Sequence, residues 1–427
     1  MNYKIKPSLL QGTITIPPSK SHTLRAILFA SLARGKSTIH HYLLSPDTDA
    51  MIRACQLLGA QITANKNQLI ITGVAGKPHI PHDIIDVGNS GQVLRFITAI
   101  AALTPGYTVM TGDHSIRTNR PMQALLKGLT QLNVLAVSTQ DNGYTPVIIK
   151  GPMQGGVTTL NGEDSQPVSG LLIAAAFAGK KTVIHVKNPG EKPWIDLTLD
   201  WFQRLGIDYR QRGHTYFEIP GNAAYSGFEY TVPGDFSSCA FPLVAALITH
   251  SEITLHNLDT NDSQGDKAII FTLREMGASI EIDHHKKSIL VKKSNYFLGK
   301  SIDVNHCIDA IPILTVMGCF SRGETILTGA AIARKKESDR LSAITQELKK
   351  MGANITELED GLVIKSTPLT GASVYSHQDH RVAMALTIAG LSATGETVVE
   401  NTDCIDKSYP NFMPSLQKLG ASIEIPI

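Results

Sequence analysis

The sequence predicts an α/β fold built from six copies of one structural unit. In the first of two recurring patterns, a helix-like segment ends in Leu or Met, is usually followed by Gly, and leads into a short strand. Its six copies lie 68 to 75 positions apart and end at Leu58, Leu132, Leu205, Met276, Met351 and Leu419. In the second pattern, an Ala- and Leu-rich segment runs through a turn into an alternating strand, as in G-E-T-V-V-E. Because both patterns share one spacing, they indicate a true repeat.

Each repeat is predicted to contain one buried helix, one half-exposed helix and several strands. The Ala- and Leu-rich segments, such as L-L-I-A-A-A-F-A, are apolar on nearly every face, and such helices must be buried on all sides. The glycine that recurs after the half-exposed helix suits a left-handed C-cap, which glycine adopts without steric cost.

Polar or charged residues stand at the start of every one of the six buried helices. The six clusters are residues 18–25, 89–95, 163–167, 234–238, 307–312 and 376–381. A helix N-terminus carries roughly half a positive charge together with unpaired N–H groups. If the six tips face one cleft, that cleft should bind small anions of high charge density.

Length, charge and cysteine use describe an ordinary soluble protein. The 427 residues suffice for two or three domains. Lys plus Arg number 39 and Asp plus Glu 37, so no global field recruits nucleic acid or an anionic membrane. The chain opens without an apolar signal segment, no run of about 18 apolar residues predicts a membrane span, and the five cysteines show neither metal-ligand nor disulfide spacing. We therefore expect a cytoplasmic protein without nucleic-acid or membrane partners.

Several motifs spread over nearly the whole chain carry a resemblance to a known family. They are P-S-K-S-H-T-L-R at 18–25, G-N-S-G at 88–91, R-P-M at 120–122, K-K-E-S-D-R at 335–340, Q-D-H-R-V-A-M-A at 378–385 and D-K-S-Y-P at 406–410. Together they resemble the enolpyruvyl transferases, and within them the branch that acts on shikimate 3-phosphate. Any single motif would be weak, but the set is specific.

The resemblance implies a two-domain inside-out αβ barrel with three βαβαββ units in each domain. The chain would cross between the domains near Ser19 and Asp235. One domain would then contain residues 1–18 and 235–427, and the other residues 19–234. The resemblance also implies domain opening and closing around the substrates, and a monomer.

The resemblance further implies a reaction. The enolpyruvyl group of phosphoenolpyruvate passes to the 5-hydroxyl of shikimate 3-phosphate, and inorganic phosphate is released. The hydroxyl adds to C2 while C3 takes a proton; loss of phosphate and of that proton from the tetrahedral ketal phosphate restores the vinyl group. No metal or organic cofactor takes part, but a base, an acid and several cations are needed.

Matching motifs assign three sets of site residues. The set for phosphoenolpyruvate is Lys20, Asn89, Gly91, Arg120, Arg340, Arg381 and Lys407. The catalytic set, with Asp309 near the reacting hydroxyl and Glu337 near C3, is Lys20, Asp309, Glu337 and His380. The set for shikimate 3-phosphate is Ser21, Arg25, Asp164, Ser165, Gln166, Glu191, Trp194, Asp309 and Lys336. The structural alternative for Asn89 and Asp309 is a helix N-cap.

Three positions depart from the family pattern. Asp164 stands where many members have serine, Glu191 where they have serine or arginine, and Ile332 where some have asparagine. Two carboxylates beside a dianionic phosphate would repel it by several kcal/mol if they were poorly screened. Three explanations stay open: a one-residue shift in the alignment, an acceptor that is a different or unphosphorylated cyclitol, or compensation by Arg25, Lys192 or Arg334.

Other classes of function find less support in the sequence. A related transferase for a UDP-sugar uses a cysteine on the loop before its R-P motif, and here that loop, D-H-S-I-R-T-N, has none. RNA-end cyclases share the βαβαββ unit, but their basic surface has no counterpart in a near-neutral chain. A non-catalytic anion-binding scaffold would keep the cations without needing Asp309 and Glu337.

Overall fold

Short strands alternate with helices along the whole chain. The computed structural model describes residues 1–426, and all its regular elements lie there. The strands are β1 (Tyr3–Lys6), β2 (Gln11–Thr15), β3 (Lys36–His40), β4 (Gln61–Ala64), β5 (Gln68–Thr72), β6 (Ile85–Asp86), β7 (Tyr107–Thr111), β8 (Leu135–Ser138), β9 (Val147–Lys150), β10 (Gly156–Asn161), β11 (Thr182–Lys187), β12 (Arg210–Arg212), β13 (Tyr216–Ile219), β14 (Glu229–Thr231), β15 (Glu252–His256), β16 (Ile280–Asp283), β17 (Ser288–Val291), β18 (Ser301–Asp303), β19 (Glu324–Thr328), β20 (Asn354–Leu358), β21 (Gly361–Lys365), β22 (Ser373–Tyr375), β23 (Thr397–Glu400) and β24 (Ser422–Glu424).

The α-helices follow the same alternation. They are α1 (Lys20–Leu32), α2 (Pro46–Leu57), α3 (Gly91–Ala101), α4 (His114–Thr118), α5 (Gln123–Thr130), α6 (Ser165–Phe177), α7 (Lys192–Leu205), α8 (Phe236–Ile248), α9 (Ala268–Glu275), α10 (Ile311–Cys319), α11 (Arg340–Lys350), α12 (His380–Gly390) and α13 (Phe412–Lys418).

Two compact units make up the described chain. Unit 1 contains Met1–Pro18 and the chain from Pro233 onward, and unit 2 contains Ser19–Val232. Each unit contains three four-stranded sheets. The strand orders in unit 2 are β14-β3-β5-β4, β6-β7-β9-β8 and β10-β11-β13-β12. Those in unit 1 are β16-β17-β15-β2, β18-β19-β21-β20 and β22-β23-β1-β24.

The repeat from β10 to β13 shows how one unit forms. Strands β10 and β11 pair in parallel, which requires a crossover, and α6 supplies it. Helix α7 follows, and then β12 and β13 form an antiparallel pair in which β13 also adjoins β11. The other five sheets have the same pattern, although β1, β2 and β14 join their sheets from distant parts of the chain. The predicted α/β fold of six βαβαββ repeats is confirmed.

The six helices predicted to be buried are buried. They are α1, α3, α6, α8, α10 and α12, and every residue of α3 and α12 lacks substantial exposure. The predicted left-handed residues after the half-exposed helices are also confirmed: φ is positive at Gly59, Asn133, Gly206, Gly277, Gly352 and Gly420.

Each buried helix begins in or just after the polar cluster predicted for it. Five of the helices have a side-chain cap, in which an oxygen of the capping residue accepts a hydrogen bond from a backbone N–H of the first turn. The capping residues are Ser19, Ser90, Asp164, Asp235 and Asp379. Helix α10 follows a 3-10 turn, Ile308–Ala310, and has no side-chain cap. Since one cap satisfies only part of a helix tip, N–H groups remain for other acceptors.

Candidate active site

Arg340, the first residue of α11, joins three carboxylates in unit 1. Its Nη1 donates to Asp309 (2.7 Å), its Nη2 to Glu337 (2.8 Å) and its Nε to Asp379 (2.8 Å). Only 1% of its side chain is exposed. Burial opposes the charged guanidinium, but the charges of Asp379, Glu337 and Asp309 raise the pKa of Arg340 well above its usual value. Arg340 therefore fixes both predicted catalytic carboxylates.

Asp309 lies in the 3-10 turn before α10 and does not cap that helix. Besides its bond from Arg340, its Oδ2 accepts a hydrogen bond from Arg381 Nη2 at 3.3 Å. Its side chain is 24% exposed. The N-cap alternative for Asp309 is therefore excluded, and the carboxylate lies between two arginines.

Glu337 is held by two of the cations assigned to phosphoenolpyruvate. Its Oε1 accepts a bond from Lys407 Nζ (2.8 Å) and its Oε2 from Arg340 (2.8 Å). Both Glu337 and Lys407 are 9% exposed. Charge-assisted bonds of this length in a buried setting are strong, so this carboxylate is an internal counter-ion for the cation pair.

Arg381 has unsatisfied hydrogen-bonding capacity. It lies in the first turn of α12, is 2% exposed, and packs with its guanidinium 5.9 Å from the ring centre of Phe241. Its Nη2 reaches Asp309, but its Nε and Nη1 are buried and meet no acceptor within residues 1–426. Leaving a buried donor unsatisfied costs about 1–3 kcal/mol, and more for a charged group. An anion that accepted these bonds would remove that cost.

Two further predicted site residues of unit 1 are buried. His380 begins α12, is 1% exposed, and has its Nδ1 3.7 Å from Asp379 Oδ1. Lys336 is 7% exposed and follows the 3-10 turn Ala331–Lys335, in which Ile332 is half-buried.

Asp266 is a buried acid near these residues that the sequence did not single out. Burial, followed by the negative charge of Asp309, raises the pKa of Asp266 to about 8, and the charge of Asp235 acts in the same direction. Ser237 donates a short hydrogen bond to its Oδ2 and Arg381 favours the charged form, but both effects are smaller. Burial and the neighbouring carboxylates therefore favour the protonated form of Asp266.

Asn89 and Ser90 have different hydrogen-bond partners at the tip of α3 in unit 2. Ser90 caps the helix, with its Oγ 3.4 Å from the Val93 nitrogen. Asn89 instead donates its Nδ2 to Asp113 Oδ2 at 2.5 Å. An N-cap by Asn89, the structural alternative, is therefore wrong, and the amide side chain ties the tip of α3 to the start of α4.

Gly91 lies at a meeting point of polar side chains. A Cβ at this residue would lie 3.0 Å from Arg95 Nη1 and 3.5 Å from both Arg120 Nη1 and Gln166 Oε1. Arg95 and Arg120 are only 1% and 3% exposed. The buried Gln166 Oε1 meets no donor in the described part of the chain. Gly91, at the tip of α3, thus lies close to Arg120 and to Gln166 at the tip of α6.

Lys20 begins α1 and has its Nζ 3.5 Å from Asp47 Oδ2. Asp47 lies in the first turn of α2 and its side chain is 4% exposed. A cation on one helix tip therefore has an acidic neighbour on another, and this limits how far Lys20 can move.

The tip of α6 already holds two carboxylates. Asp164 caps the helix: its Oδ1 accepts the Gln166 N–H (2.9 Å), and its Oδ2 lies 3.6 Å from Arg95 Nη2. Glu191 Oε2 accepts both the N–H and the hydroxyl of Ser165, each at 3.1 Å. All four residues that share these hydrogen bonds belong to the set assigned to shikimate 3-phosphate, and the donors of Ser165 and Gln166 meet acids of the same chain.

Arg25 is committed to oxygens other than carboxylates. Its Nε donates to Thr198 (3.0 Å), its Nη1 to the Ser21 carbonyl (3.3 Å) and its Nη2 to the Trp194 carbonyl (3.0 Å). Burial lowers the pKa of Arg25 to about 9. Trp194 thus meets Arg25 through its backbone rather than its ring.

One residue outside the three candidates for compensation lies near the acidic tip of α6. Arg95, rather than Arg25, approaches Asp164. Arg334 pairs with Asp339 and Glu357, each at 2.8 Å. The only signal for Arg95 in the sequence was its position in N-S-G-Q-V-L-R, one turn after Gly91, where i and i+4 side chains share a helix face.

Comparisons with known proteins bear on this arrangement. A family model described as EPSP synthase (3-phosphoshikimate 1-carboxyvinyltransferase) matches residues 5–416. The chain belongs to the EPSP synthase family. It is 43% identical over 423 residues to the 3-phosphoshikimate 1-carboxyvinyltransferase of Acetivibrio thermocellus, with 99% of each chain covered. It is 44% identical over 430 residues to the enzyme of the same name from Chlamydia caviae, with 99% of this chain and 95% of the relative covered.

The fold agrees with that of a solved EPSP synthase. The structure of EPSP synthase from Acinetobacter baumannii matches with a TM-score of 0.83 and 29% identity, over 100% of both chains. The resemblance seen in the motifs is therefore confirmed, and the chain is a transferase of the EPSP synthase family.

The described residues contain neither a helix suited to span a membrane nor a cluster suited to hold a metal ion. Within residues 1–426, no helix combines the length and apolarity needed to cross a membrane. In the same part of the chain, no three His, Cys, Asp or Glu side chains are grouped so that they could hold a metal ion.

Proposed function

We propose that this member of the EPSP synthase family transfers the enolpyruvyl group of phosphoenolpyruvate to the 5-hydroxyl of shikimate 3-phosphate and releases inorganic phosphate. Family membership over the full length supports the reaction class. The observation that carries the proposal is the buried guanidinium of Arg381, two of whose nitrogens meet no acceptor within residues 1–426. Such a cation suits an anionic substrate that supplies the missing oxygens.

The donor is assigned to residues of both units. In unit 2 these are Lys20, Arg120 and the tip of α3 at Asn89 and Gly91, where N–H groups and the helix dipole favour a phosphate. In unit 1 they are Arg340, Arg381 and Lys407. The phosphate and carboxylate of phosphoenolpyruvate together carry the charge that such a set neutralises.

Binding of the donor changes the hydrogen bonding of Glu337 and its tendency to take a proton. Lys407 and Arg340 donate hydrogen bonds to its two carboxylate oxygens. A substrate anion bound by the same two cations would weaken these hydrogen bonds. When the donor takes up part of the cations' charge, Glu337 takes a proton from solvent and passes it to C3. Asp309, between Arg340 and Arg381, takes the proton of the 5-hydroxyl as its oxygen attacks C2.

Elimination reverses the proton transfer at C3, and Asp309 passes the proton that it took from the 5-hydroxyl to the departing phosphate. One proton leaves C3 of the tetrahedral intermediate, the C2–O bond to phosphate breaks, and the double bond of the vinyl group forms again. Glu337 receives that proton, and the cations stabilise the departing phosphate. His380 and Lys336 are assigned to the phosphate and to the acceptor hydroxyls. A monomeric state and a cytoplasmic location remain predictions.

An acceptor without the 3-phosphate is the second candidate, because Glu191 and Asp164 occupy donors at the tip of α6. Binding of shikimate and of shikimate 3-phosphate, with and without a phosphoenolpyruvate analogue, distinguishes the two. Tighter binding of the unphosphorylated ring would overturn the favoured acceptor.

The Arg381→Lys variant tests the role of the buried guanidinium. Lysine keeps the charge but cannot supply several donors in one plane, so we expect KM for phosphoenolpyruvate to rise by about tenfold or more. The control is Arg322→Lys, because Arg322 is exposed in the same unit and only packs over Tyr296 at 4.9 Å. An unchanged KM for phosphoenolpyruvate in Arg381→Lys would remove the assignment.

A further inference from the structure

Glu191 is an acid buried in the acceptor site. It precedes α7, and only 2% of the residue is exposed. Its Oε2 accepts two hydrogen bonds, from the backbone N–H and from the hydroxyl of Ser165, each at 3.1 Å. Burying a carboxylate is costly unless it is well bonded, and these two bonds with the positive end of α6 supply part of that bonding.

The bonds to Ser165 are those that an oxyanion would make at this helix tip. Ser165 is the first residue of α6, and its N–H and hydroxyl lie side by side. The next N–H, of Gln166, is already taken by Asp164 at 2.9 Å. A phosphate oxygen that entered here would therefore meet donors that hold a carboxylate of the chain itself.

The backbone that carries Glu191 is fixed. The N–H of Gly190 donates to the Gly162 carbonyl at 2.9 Å, and a Cβ at Gly190 would lie 2.6 Å from the Glu163 carbonyl oxygen, so the two loops are closely packed. Glu191 itself has φ 45°, a left-handed conformation that surrounding contacts must maintain. Displacement of the carboxylate from Ser165 would therefore require rotation of the side chain, because the Cα is held in place.

We infer that Glu191 determines acceptor specificity by competing with the acceptor's phosphate for the N–H and hydroxyl of Ser165. The inference rests on the proposed function, because it takes a phosphate monoester as the ligand of this tip. Binding of that phosphate displaces the carboxylate, and the two negative charges oppose each other until it has moved. Glu191 thus lowers the affinity for the phosphorylated acceptor. It thereby reduces the difference in affinity between the phosphorylated and the unphosphorylated ring.

The Glu191→Gln variant tests this inference. The amide has the same shape but no charge, so it competes less well for Ser165. We expect the Kd of shikimate 3-phosphate to fall by about tenfold, because one opposing charge is removed from a poorly screened site. The Kd of shikimate should change by less than about twofold, because that ring brings no phosphate to Ser165. Calorimetry with both ligands measures these changes.

Two further variants test whether the effect comes from the carboxylate of Glu191. Glu163→Gln removes the same charge from an exposed position beside the tip of α6, and it should leave both Kd values unchanged because solvent screens that charge. Glu191→Ser removes the carboxylate altogether and should tighten binding of shikimate 3-phosphate in the same direction as Glu191→Gln. Thermal unfolding of each variant establishes that it is folded.

The outcomes separate this inference from the proposed function. If the unaltered protein turns over shikimate 3-phosphate but Glu191→Gln binds it equally or more weakly, Glu191 supports Ser165 and the inference is wrong. An equal gain for shikimate and shikimate 3-phosphate would also contradict it, because the effect would not lie at the phosphate. If the unaltered protein turns over no shikimate 3-phosphate at all, the proposed function fails.

Discussion

Arg340 determines the positions of both predicted catalytic carboxylates. It donates separately to Asp309, Glu337 and Asp379, and it is almost fully buried. A lysine at this position would keep the charge but could not span three acceptors with a planar group. The geometry of the acid and the base therefore depends on one guanidinium.

The Arg340→Lys variant should lose activity through kcat. We expect kcat to fall by about a hundredfold, because misplacing a catalytic group by about 1 Å costs that much. Arg334→Lys is the matched control, since Arg334 also joins two carboxylates, Asp339 and Glu357, but with 25% of its side chain exposed. Steady-state kinetics with both substrates is the measurement, and a near-normal kcat in Arg340→Lys would show that Arg340 is replaceable.

Asp266 makes stability depend on pH in a specific direction. Burial and the charge of Asp309 raise its pKa to about 8, whereas in the unfolded chain it ionises near pH 4. Between these values the folded protein holds a proton that the unfolded chain has lost, so the free energy of unfolding falls as pH rises through that window. Below about pH 4 both states are protonated and the cost disappears.

The Asp266→Asn variant should remove this dependence. We expect it to be more stable than the unaltered protein at pH 8, with an advantage that shrinks steadily toward pH 5, as chemical denaturation at several pH values would measure. Asp259→Asn is a control of opposite sign. Burial raises the pKa of Asp259, but hydrogen bonds from Lys287 and from the Asn261 N–H outweigh burial and lower it. The stability that Asp259 contributes is therefore lost on acidification. An advantage of Asp266→Asn that is constant across pH would contradict the account.

Helix tips are the elements that the sequence located best. The polar clusters before the apolar segments predicted where α1, α3, α6, α8, α10 and α12 begin. In all of these helices except α10, the reason is that a capping residue must stand next to the N–H groups that it satisfies. The recurring glycines predicted the left-handed residues for the same local reason. Both signals act over a few residues, and the sequence displays them directly.

Partners between elements could not be predicted in this way. Asp379 meets Arg340 across 39 positions of chain, and Glu191 meets Ser165 across 26. Each pair depends on how helices and loops pack, and neither residue type nor spacing indicates it. The sequence therefore named Glu191 and Asp164 as misfits but could not show that the tip of α6 holds both.

The tip of α3 yields a prediction at this scale. In Gly91→Ala, the new Cβ would lie 3.0 Å from Arg95 Nη1, so Arg95 must move by a few tenths of an ångström, and it would come within 3.5 Å of Arg120 Nη1. We expect the crowding to raise KM for phosphoenolpyruvate several-fold and to weaken competition by glyphosate, which mimics the donor in this family.

Gly128→Ala is the matched control for that substitution. Gly128 lies inside α5, where a Cβ would make only ordinary contacts at 3.6–3.8 Å, so the change should leave both constants alone and stabilise the helix slightly. Inhibition kinetics against phosphoenolpyruvate decides the matter. A glyphosate inhibition constant that Gly91→Ala leaves unchanged would refute the assignment of this tip to the donor.

At the scale of the whole molecule, a small α/β unit used six times supplies a buried helix tip in each copy. Each unit of the chain contributes three such tips, and the polar residues on them differ from copy to copy. The repeat thus provides six similar helix ends, and we propose that local substitutions assign them to donor, acceptor or catalysis. The six α/β repeats could be predicted from two patterns with a shared period, and their arrangement in two domains from the family resemblance, but the division of roles depends on side chains that meet only after folding.

We propose above all that the chain joins phosphoenolpyruvate to shikimate 3-phosphate. The most direct measurement follows inorganic phosphate and the enolpyruvyl ether together, using the purified chain with both substrates and with each alone. The account predicts one phosphate for each enolpyruvyl ether formed, and only when both substrates are present. Phosphate release without shikimate 3-phosphate, or turnover with shikimate but not with its 3-phosphate, would contradict it.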